Sequence, residues 1–262
     1  MIRILTIAAI IWLEMIRRKD VYVLLILLGA ILVTLISLNI FGLGKVVRYI
    51  VDVGLLMTLI LSWILSINIS SRELPIEETR GTIFPLLAKP ITRFELILGK
   101  WIGSWSVVCA VTLAFYALVI GIVGLYGGKI HPVLVLQGYI LHCAALSIVV
   151  VTALAFSTRM NHDAAASITY VLTTTAFFLV PRIPEFITHE TGFRAYMLTL
   201  FYNLLPHFEI FDMRQRIVHE SATLDWKTFC MILAYGALLT SSLLLAAWLA
   251  YRKKQFIRGN LG

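Results

Sequence analysis

The sequence has little of what disulfide frameworks, metal sites and hydrolytic enzymes require. It contains three cysteines, Cys109, Cys143 and Cys230, and none forms a C-x-x-C pair. All three lie in apolar runs, so we expect small buried side chains rather than zinc ligands or disulfides. No H-E-x-x-H motif or Ser/His/Asp arrangement supports an intramembrane hydrolase, which makes this the least favoured function.

Charge is also scarce. Only 14% of the 262 residues are charged and 60% are hydrophobic, with a mean hydropathy of +0.92. This composition predicts one integral membrane domain rather than two soluble ones. The net charge of +8 could suggest nucleic acid. However, Lys and Arg cluster beside apolar runs, as in membrane proteins, and no nucleic-acid-binding motif occurs, so we expect no nucleic-acid partner.

Apolar runs predict the fold class. A membrane-crossing helix needs about 20 apolar residues, and such a run must be helical because lipid offers the backbone no hydrogen-bond partners. We therefore predict an all-α integral membrane protein with six transmembrane helices. Their predicted ranges are 21–39, 50–70, 101–126, 133–156, 164–181 and 229–251.

The first residues, 2–19, predict a different kind of helix. Most positions are apolar and the polar ones share a helical face, although Ile7 and Ile10 interrupt it. This pattern predicts an interfacial amphipathic helix that ends in a basic anchor. A membrane-buried helix is the alternative, but Glu14 and the following cations argue against it. No cleavable signal peptide is expected, because Ile16-Arg17-Arg18-Lys19 offers no small-residue cleavage site. The polar residues of the face are Arg3, Thr6, Glu14 and Arg17.

The distribution of cations predicts the orientation. With the N-terminus inside, most of the 22 Lys and Arg residues fall in inner segments. We therefore expect a multi-pass protein of the inner or plasma membrane with both termini cytoplasmic. Aromatic residues expected to anchor the inner interface are Trp101, Trp105, Trp248 and Tyr251.

Local signals mark the helix ends and contacts. Thr92 and Glu95 form a predicted capping box, and Pro132 fits the first turn of the fourth crossing. Asp163 and Asp225 are predicted N-caps of the fifth and sixth crossings. Small-xxx-small spacing, a weak sign of helix packing, occurs at Gly99 with Gly103 and at Gly124 with Gly128.

Several polar residues fall within or near the predicted crossings, where polar groups are costly. We expect Asp52 to be an interfacial cap rather than an ion site. For His142 we favour an interhelical hydrogen bond over a ligand or proton role. The other members of this set are Asn68, Gln137 and Thr173–Thr175.

The charged stretch at 71–100 interrupts the apolar pattern and is predicted to be a cytoplasmic loop. Arg80-Gly81, Pro85 and Lys89-Pro90 break helical patterns, which predicts a short helix, a bend and a second turn. Glu77, Glu78 and Arg80 are expected to be exposed beside apolar residues, as in a docking site. A solvated loop resting on the bilayer is the alternative. The apolar residues are Ile83, Phe84, Leu86 and Leu87.

The residues of this loop resemble a known signature. Glu77-x-x-x-Gly81-Thr82, Leu86-Leu87-x-Lys89-Pro90-x-x-Arg93 and Gly99-Lys100 resemble ABC-2-type exporter permeases. Among these, the sequence is most similar to the branch with the nitrous-oxide-reductase (multicopper enzyme) maturation permease. Asp52-Val53-Gly54 and Leu205-Pro206 with Phe208 and Phe211-Asp212 also fit.

This resemblance implies that the loop carries a coupling helix that docks onto a separate ATP-binding cassette ATPase subunit. It also implies that two permease subunits, as a homodimer or heterodimer, form the translocation path. For Lys89 and Arg93, anchoring to lipid phosphate is an equal alternative. The expected coupling residues are Glu77, Glu78, Arg80, Thr82, Phe84, Leu87, Lys89 and Arg93.

The sequence lacks the means to handle ATP itself. No G-x-x-x-x-G-K-[ST] motif occurs, since Gly44-Lys45 and Gly99-Lys100 lack its upstream glycine and its Ser/Thr. We therefore expect a non-enzymatic subunit with no cofactor of its own and ATP on the partner chain.

The segment 182–228 is too long for a simple turn. Its middle, Tyr196–Leu205, has a length suited to a re-entrant or interfacial helix, and Phe208 and Phe211 are expected to rest on the membrane face. The resemblance implies an outer gate here.

Two functions remain open. One is the permease subunit of an ATP-driven exporter. The other is a membrane subunit that transmits force to a periplasmic partner without moving a solute.

Overall fold

A computed structural model describes residues 2–17, 19–38, 46–79, 92–128, 130–189, 192–219 and 222–252. Within these ranges every regular element is helical and no strand occurs, which confirms the predicted all-α class. The α-helices are α1 Ile2–Arg17, α2 Asp20–Leu38, α3 Val46–Thr79, α4 Arg93–Leu125, α5 Pro132–Ser157, α6 His162–Phe178, α7 Ile183–His189, α8 Phe193–Leu204, α9 Arg214–Val218 and α10 Trp226–Arg252. Two 3-10 turns are Val180–Arg182 and Phe208–Phe211.

The long helices match the predicted crossings. By length and composition five helical segments could cross a membrane: α3, α4, α5, α10, and His162–Thr188, which combines α6, the following 3-10 turn and most of α7. A sixth could be formed by α1 and α2, which meet at an angle of 55°. Five or six crossings agree in number with the six predicted, although the sixth candidate joins α1 to α2, whereas the prediction placed only residues 21–39 across the membrane.

Helices α3 and α4 are much longer than their apolar runs. They contain 34 and 33 residues, and α3 continues through Pro75 to Thr79. The described charged residues at both ends of the stretch predicted to be a loop therefore belong to helices. Glu73 and Glu77 are accommodated in α3 because both pair with Lys100 of α4.

Helix α5 is the centre of the bundle. It packs against α3, α4, α6 and α10, and 78% of its most apolar window is buried, against 22% for α10. An apolar surface on all sides is what a central membrane helix requires. Helix α10 instead lies at the periphery, with much of its apolar surface facing outward.

Helix α1 packs closely on α4 at two glycines. A Cβ on Gly103 would lie 2.9 Å from the Cα of Ala8, and one on Gly99 would lie 2.9 Å from Ile7. The first glycine pair is thus a helix-packing site, as its spacing suggested. In the second pair only Gly128 lies at a close contact, since a Cβ there would lie 2.5 Å from the side chain of Val47, whereas nothing lies within 4 Å of a Cβ on Gly124. The prediction that α1 lies in the interface stays a prediction.

Of the cap predictions for the last four crossings, one is wrong. Glu95 and Thr92 form both hydrogen bonds of the capping box, and Pro132 begins α5. The carboxylate of Asp225 accepts a hydrogen bond from the Lys227 N–H at 3.2 Å. The prediction for Asp163 is wrong: Asn161 is the N-cap of α6 and accepts from the Ala164 N–H, while Asp163 lies in the first turn.

Candidate functional site

Five of the expected coupling residues, Arg80, Thr82, Phe84, Leu87 and Lys89, lie outside the described residues, as do Ile83 and Leu86. The structure describes Glu77, Glu78 and Arg93, at the two stems of this loop. Residues 80–91, the part of the predicted loop outside the described residues, connect the end of α3 to the start of α4. Contacts between these stems therefore define its base.

A buried ionic triad joins the two stems. Lys100 of α4 is 4% exposed, and its ammonium group lies 2.7 Å from Glu73 and 2.5 Å from Glu77, both on α3. Glu77 was expected to be exposed, but its side chain is only 18% exposed. The expectation failed because Lys100, which lies 23 residues further along the chain, supplies a partner that local patterns do not reveal. Glu78 is half-buried as well.

Arg93 links the loop to the last helix. Its guanidinium donates to the carbonyl oxygens of Tyr251 and Arg252 at 2.9 and 2.8 Å. Arg159, between α5 and α6, donates to the carbonyl of Ala250 at 2.8 Å. Arg93 therefore holds the last described turn of α10 beside the start of α4, and Arg159 holds it beside the turn between α5 and α6.

A second polar contact ties α3 to α6. The Nε of Arg72 donates to Nε2 of His162 at 3.1 Å, and Ser71 lies 2.9 Å from Nδ1 of the same ring. Since Nε2 accepts from Arg72, we assign the ring proton to Nδ1, which then donates to the Ser71 hydroxyl. Sequence reasoning missed this pair, since neither residue lies within a long apolar run.

His142 makes the interhelical hydrogen bond that was predicted. Its Nε2 lies 2.9 Å from Oγ of Ser62 on α3. The Ser62 hydroxyl donates to the carbonyl of Leu59, so we assign the donor role in the first bond to His142. No acidic residue lies near His142 in sequence. However, Asp212, in the segment between α6 and α10, lines a small cavity that His142 also lines. Asp212 itself pairs with Arg214 at 2.7 Å.

The other intramembrane candidates have separate roles. Asp52 lies in the second turn of α3, which begins by Val46, so the prediction of a cap is wrong. Asn68 donates to the hydroxyl of Tyr170 on α6 at 2.9 Å. The hydroxyl of Thr173 donates to the backbone of its own helix.

Two phenylalanines between α8 and α9 pack into the bundle rather than onto the membrane face. Phe208 and Phe211 are each 2% exposed. Phe208 contacts Trp63 of α3, with ring centroids 5.4 Å apart, and Phe211 stacks on Tyr235 of α10 at 6.1 Å. The expectation that these rings rest on the membrane is therefore wrong. The bundle offers a pocket between α3, α5 and α10, which local sequence cannot reveal.

A glutamine fixes the end of the same segment. The side-chain amide of Gln137, 1% exposed on α5, donates to the carbonyl of Leu224 and accepts from its N–H, both at 3.0 Å. Close contact between Gly138 and Ile217 adds a second attachment, since a Cβ on Gly138 would lie 2.8 Å from the Ile217 side chain. The segment before α10 is thus held at two adjacent positions of α5.

The helix α8 carries an exposed apolar face. It corresponds to the segment Tyr196–Leu205, which was predicted to be re-entrant or interfacial, and is followed by Pro206. Phe193 and Tyr196 are 74% and 63% exposed. Nearby, Glu209 is partly buried, and this burial raises the pKa of its carboxyl, opposed by the charge of His207.

The described residues contain no group of three or more His, Cys, Asp or Glu side chains that could hold a metal ion. The three cysteines are free. All three were expected to be buried, but Cys230 is exposed.

Comparison with known proteins agrees with this architecture. No curated protein sequence matches the chain significantly. The family model described as ABC-2 family transporter protein matches residues 57–254. This range includes the predicted loop, both of its stems and the segment between α6 and α10. The family predicted from the loop motif is confirmed, while the nitrous-oxide-reductase maturation branch stays a prediction. Because the match covers most of the 262 residues, the chain belongs to the ABC-2 family of transporter proteins.

Proposed function

We propose that the chain is the permease subunit of an ATP-driven exporter, which pairs with a second permease subunit and couples to separate ATPase subunits. The proposal rests on the contacts between the ends of α3 and α4, which flank residues 80–91. The Lys100 triad joins α3 to α4, and Arg93 joins α4 to α10. A force applied to this loop would therefore reach three membrane helices together.

The surface of α6 supports a second subunit. Only 33% of the most apolar stretch of His162–Thr188, which contains this helix, is buried in the bundle. Its exposed face carries the hydroxyls of Ser167 and Thr174 beside Val171 and Phe178. Polar side chains in transmembrane helices preferentially face other helices or water rather than lipid. We therefore propose that this face meets the second subunit and lines the path between the two.

The cavity inside one subunit beside His142, under Phe208 and Phe211, is too small to be that path. Its volume of about 20 Å³ is room for about one water molecule. We therefore place the passage between subunits. If that interface is sealed too, the second candidate function applies, in which ATP-driven motion acts on a periplasmic partner without solute movement.

Docking to the ATPase is tested by co-purification with an ATP-binding cassette ATPase, sought first among the products of the neighbouring genes. Truncating a buried apolar anchor costs on the order of 2 kcal/mol or more, whereas charges at the rim cost less. Phe84→Ala should therefore reduce co-purification more than Glu78→Ala. Glu77→Lys is unsuitable here, because Glu77 contacts Lys100. Wild-type co-purification of Phe84→Ala at normal membrane expression would contradict docking through this loop.

The subunit interface is tested by cysteine cross-linking in membranes. A cysteine at Val171 should cross-link two copies, while one at Leu238, which is 70% exposed on α10, serves as the matched control. Cross-linking at Leu238 alone would place the interface on the other side of the bundle. With a heterodimer, the cross-linked partner is a different permease chain, identified by mass.

A further inference from the structure

An apolar groove runs along the outside of the bundle, between α4, α5 and α10. Its volume is about 570 Å³, which falls in the 300–1,000 Å³ range of small-ligand sites. One wall is formed by Trp101 and Trp105, whose rings stack 5.6 Å apart, and small residues such as Ala144 and Ala237 form the floor. These tryptophans were expected to anchor the interface, yet Trp105 is in the fourth turn of α4. We propose that this groove binds one acyl chain of an anionic glycerophospholipid.

The floor offers almost nothing to a polar ligand. The hydroxyls of Ser147 and Thr240 lie 3.1 Å apart and bond to each other. The Ser241 hydroxyl donates to the Ala237 carbonyl, and the Trp105 indole N–H donates to the Cys143 carbonyl. A peptide or sugar would find these groups already bonded. A hydrocarbon chain needs no polar partner, and every lining residue belongs to a membrane-crossing helix.

Charge at one end of the groove selects the headgroup. Phe94 lines this end and contacts Trp248, with ring centroids 6.0 Å apart. The guanidinium of Arg252 lies 5.7 Å from the Trp248 ring, and its residue is exposed. Arg93, whose guanidinium donates to the Arg252 carbonyl at 2.8 Å, is the next cation. An acyl chain in the groove would therefore place its phosphate near the cations Arg252 and Arg93.

A second copy of this chain is the competing occupant. Transmembrane helices associate through close packing of small residues, and close-packed protein interiors leave few voids larger than a water molecule. A groove of about 570 Å³ would remain unfilled against an ordinary helix face. Cations along one edge also disfavour a like-charged copy.

The test is native mass spectrometry of the purified protein with synthetic lipids. Phosphatidylglycerol and phosphatidylcholine with identical palmitoyl and oleoyl chains are titrated separately. Wild-type protein should bind phosphatidylglycerol more tightly. Ala237→Phe, which fills the groove, should weaken both lipids about tenfold or more, since losing only two buried methylene groups has that effect. Ala246→Phe, at an exposed position of α10 outside the groove, is the control and should bind as wild type.

The headgroup is tested separately. Arg252→Gln should weaken phosphatidylglycerol about fivefold, as expected for one cation at a membrane surface, and leave phosphatidylcholine unchanged. Should Ala237→Phe fail to fold, Ser241→Leu fills the same groove with a smaller side chain. Wild-type lipid affinity in the groove-filling variant would overturn the proposal. So would loss of dimer with unchanged lipid affinity, which would identify the groove as an interface between copies.

Discussion

The ammonium group of Lys100 lies 2.7 Å from the carboxylate of Glu73, with Lys100 4% exposed. Removing one partner of a buried ion pair typically costs about 3–5 kcal/mol, because the other charge is left buried. Lys100→Met should therefore lower the apparent Tm strongly. Adding Glu73→Gln and Glu77→Gln should restore much of the loss, since the uncompensated charges are then removed.

The control for this prediction is Lys227→Met, an exposed lysine on α10. It should leave the apparent Tm unchanged, measured by thermal unfolding in detergent. Equal Tm values for Lys100→Met and wild type would show that the triad does not stabilise the fold. The proposal that it joins α3 firmly to α4 would then lose its support.

A structural role for His142 predicts tolerance of glutamine. His142→Gln keeps a donor for Ser62 and should leave ATP-dependent activity near wild type. His142→Leu loses the bond and should lower stability by about 1 kcal/mol, the scale of interhelical hydrogen bonds in membranes. Ser62→Ala is the matched variant on the other helix. Lost activity in a well-folded His142→Gln protein would instead indicate a proton or ligand role.

Gln137 should control the order of the segment before α10. Gln137→Met leaves the N–H and carbonyl of Leu224 without their partner, and each buried unsatisfied group costs about 1–3 kcal/mol. Hydrogen exchange of the Leu224 amide should accelerate, while the Gln137→Glu variant, which keeps the acceptor, should protect it in part. Gln215→Met, at an exposed position, is the control. Unchanged exchange in Gln137→Met would rule out the clamp.

Some of this architecture is readable from the sequence because its causes are local. The Thr92–Glu95 capping box depends on residues three apart, and a membrane helix must bury its own backbone. The long ends of α3 and α4 could not be predicted, since the charges on Glu73 and Glu77 suggested a loop and their shared partner, Lys100, is distant in sequence. Phe208 likewise gives no local sign of the pocket beside Trp63 that buries it.

Glu209 predicts a pH dependence of stability. Its pKa is raised above the ordinary 4.5 by burial, so the folded protein holds this proton more tightly than the unfolded chain. Its ionisation therefore disfavours the folded state, and stability falls as pH rises above about 4.5. Glu209→Gln should raise the apparent Tm at pH 8 and flatten its pH profile, whereas Glu185→Gln, at an exposed position, should do neither. An unchanged profile in Glu209→Gln would exclude this carboxyl as the cause.

The predicted orientation is tested by labelling single cysteines with a membrane-impermeant maleimide. Positions Lys45, Lys129 and Glu190, all outside the described residues, should react in intact cells because they fall in outer loops. Arg80 and Arg258 should react only after permeabilisation. Labelling of a cysteine at Arg80 in intact cells would show that the topology is the opposite of the predicted one. The loop would then lie on the side of the membrane without ATP.

The contact between Ile7 and Gly99 has a consequence for biosynthesis. The two positions are 99 − 7 = 92 residues apart, and a ribosome adds about 5–20 residues per second. Helix α1 therefore leaves the ribosome roughly 5–20 s before the surface on which it packs. Throughout that interval the apolar face of α1 must be shielded by lipid or by the insertion machinery, so the nascent chain depends on the membrane before its first tertiary contact can form.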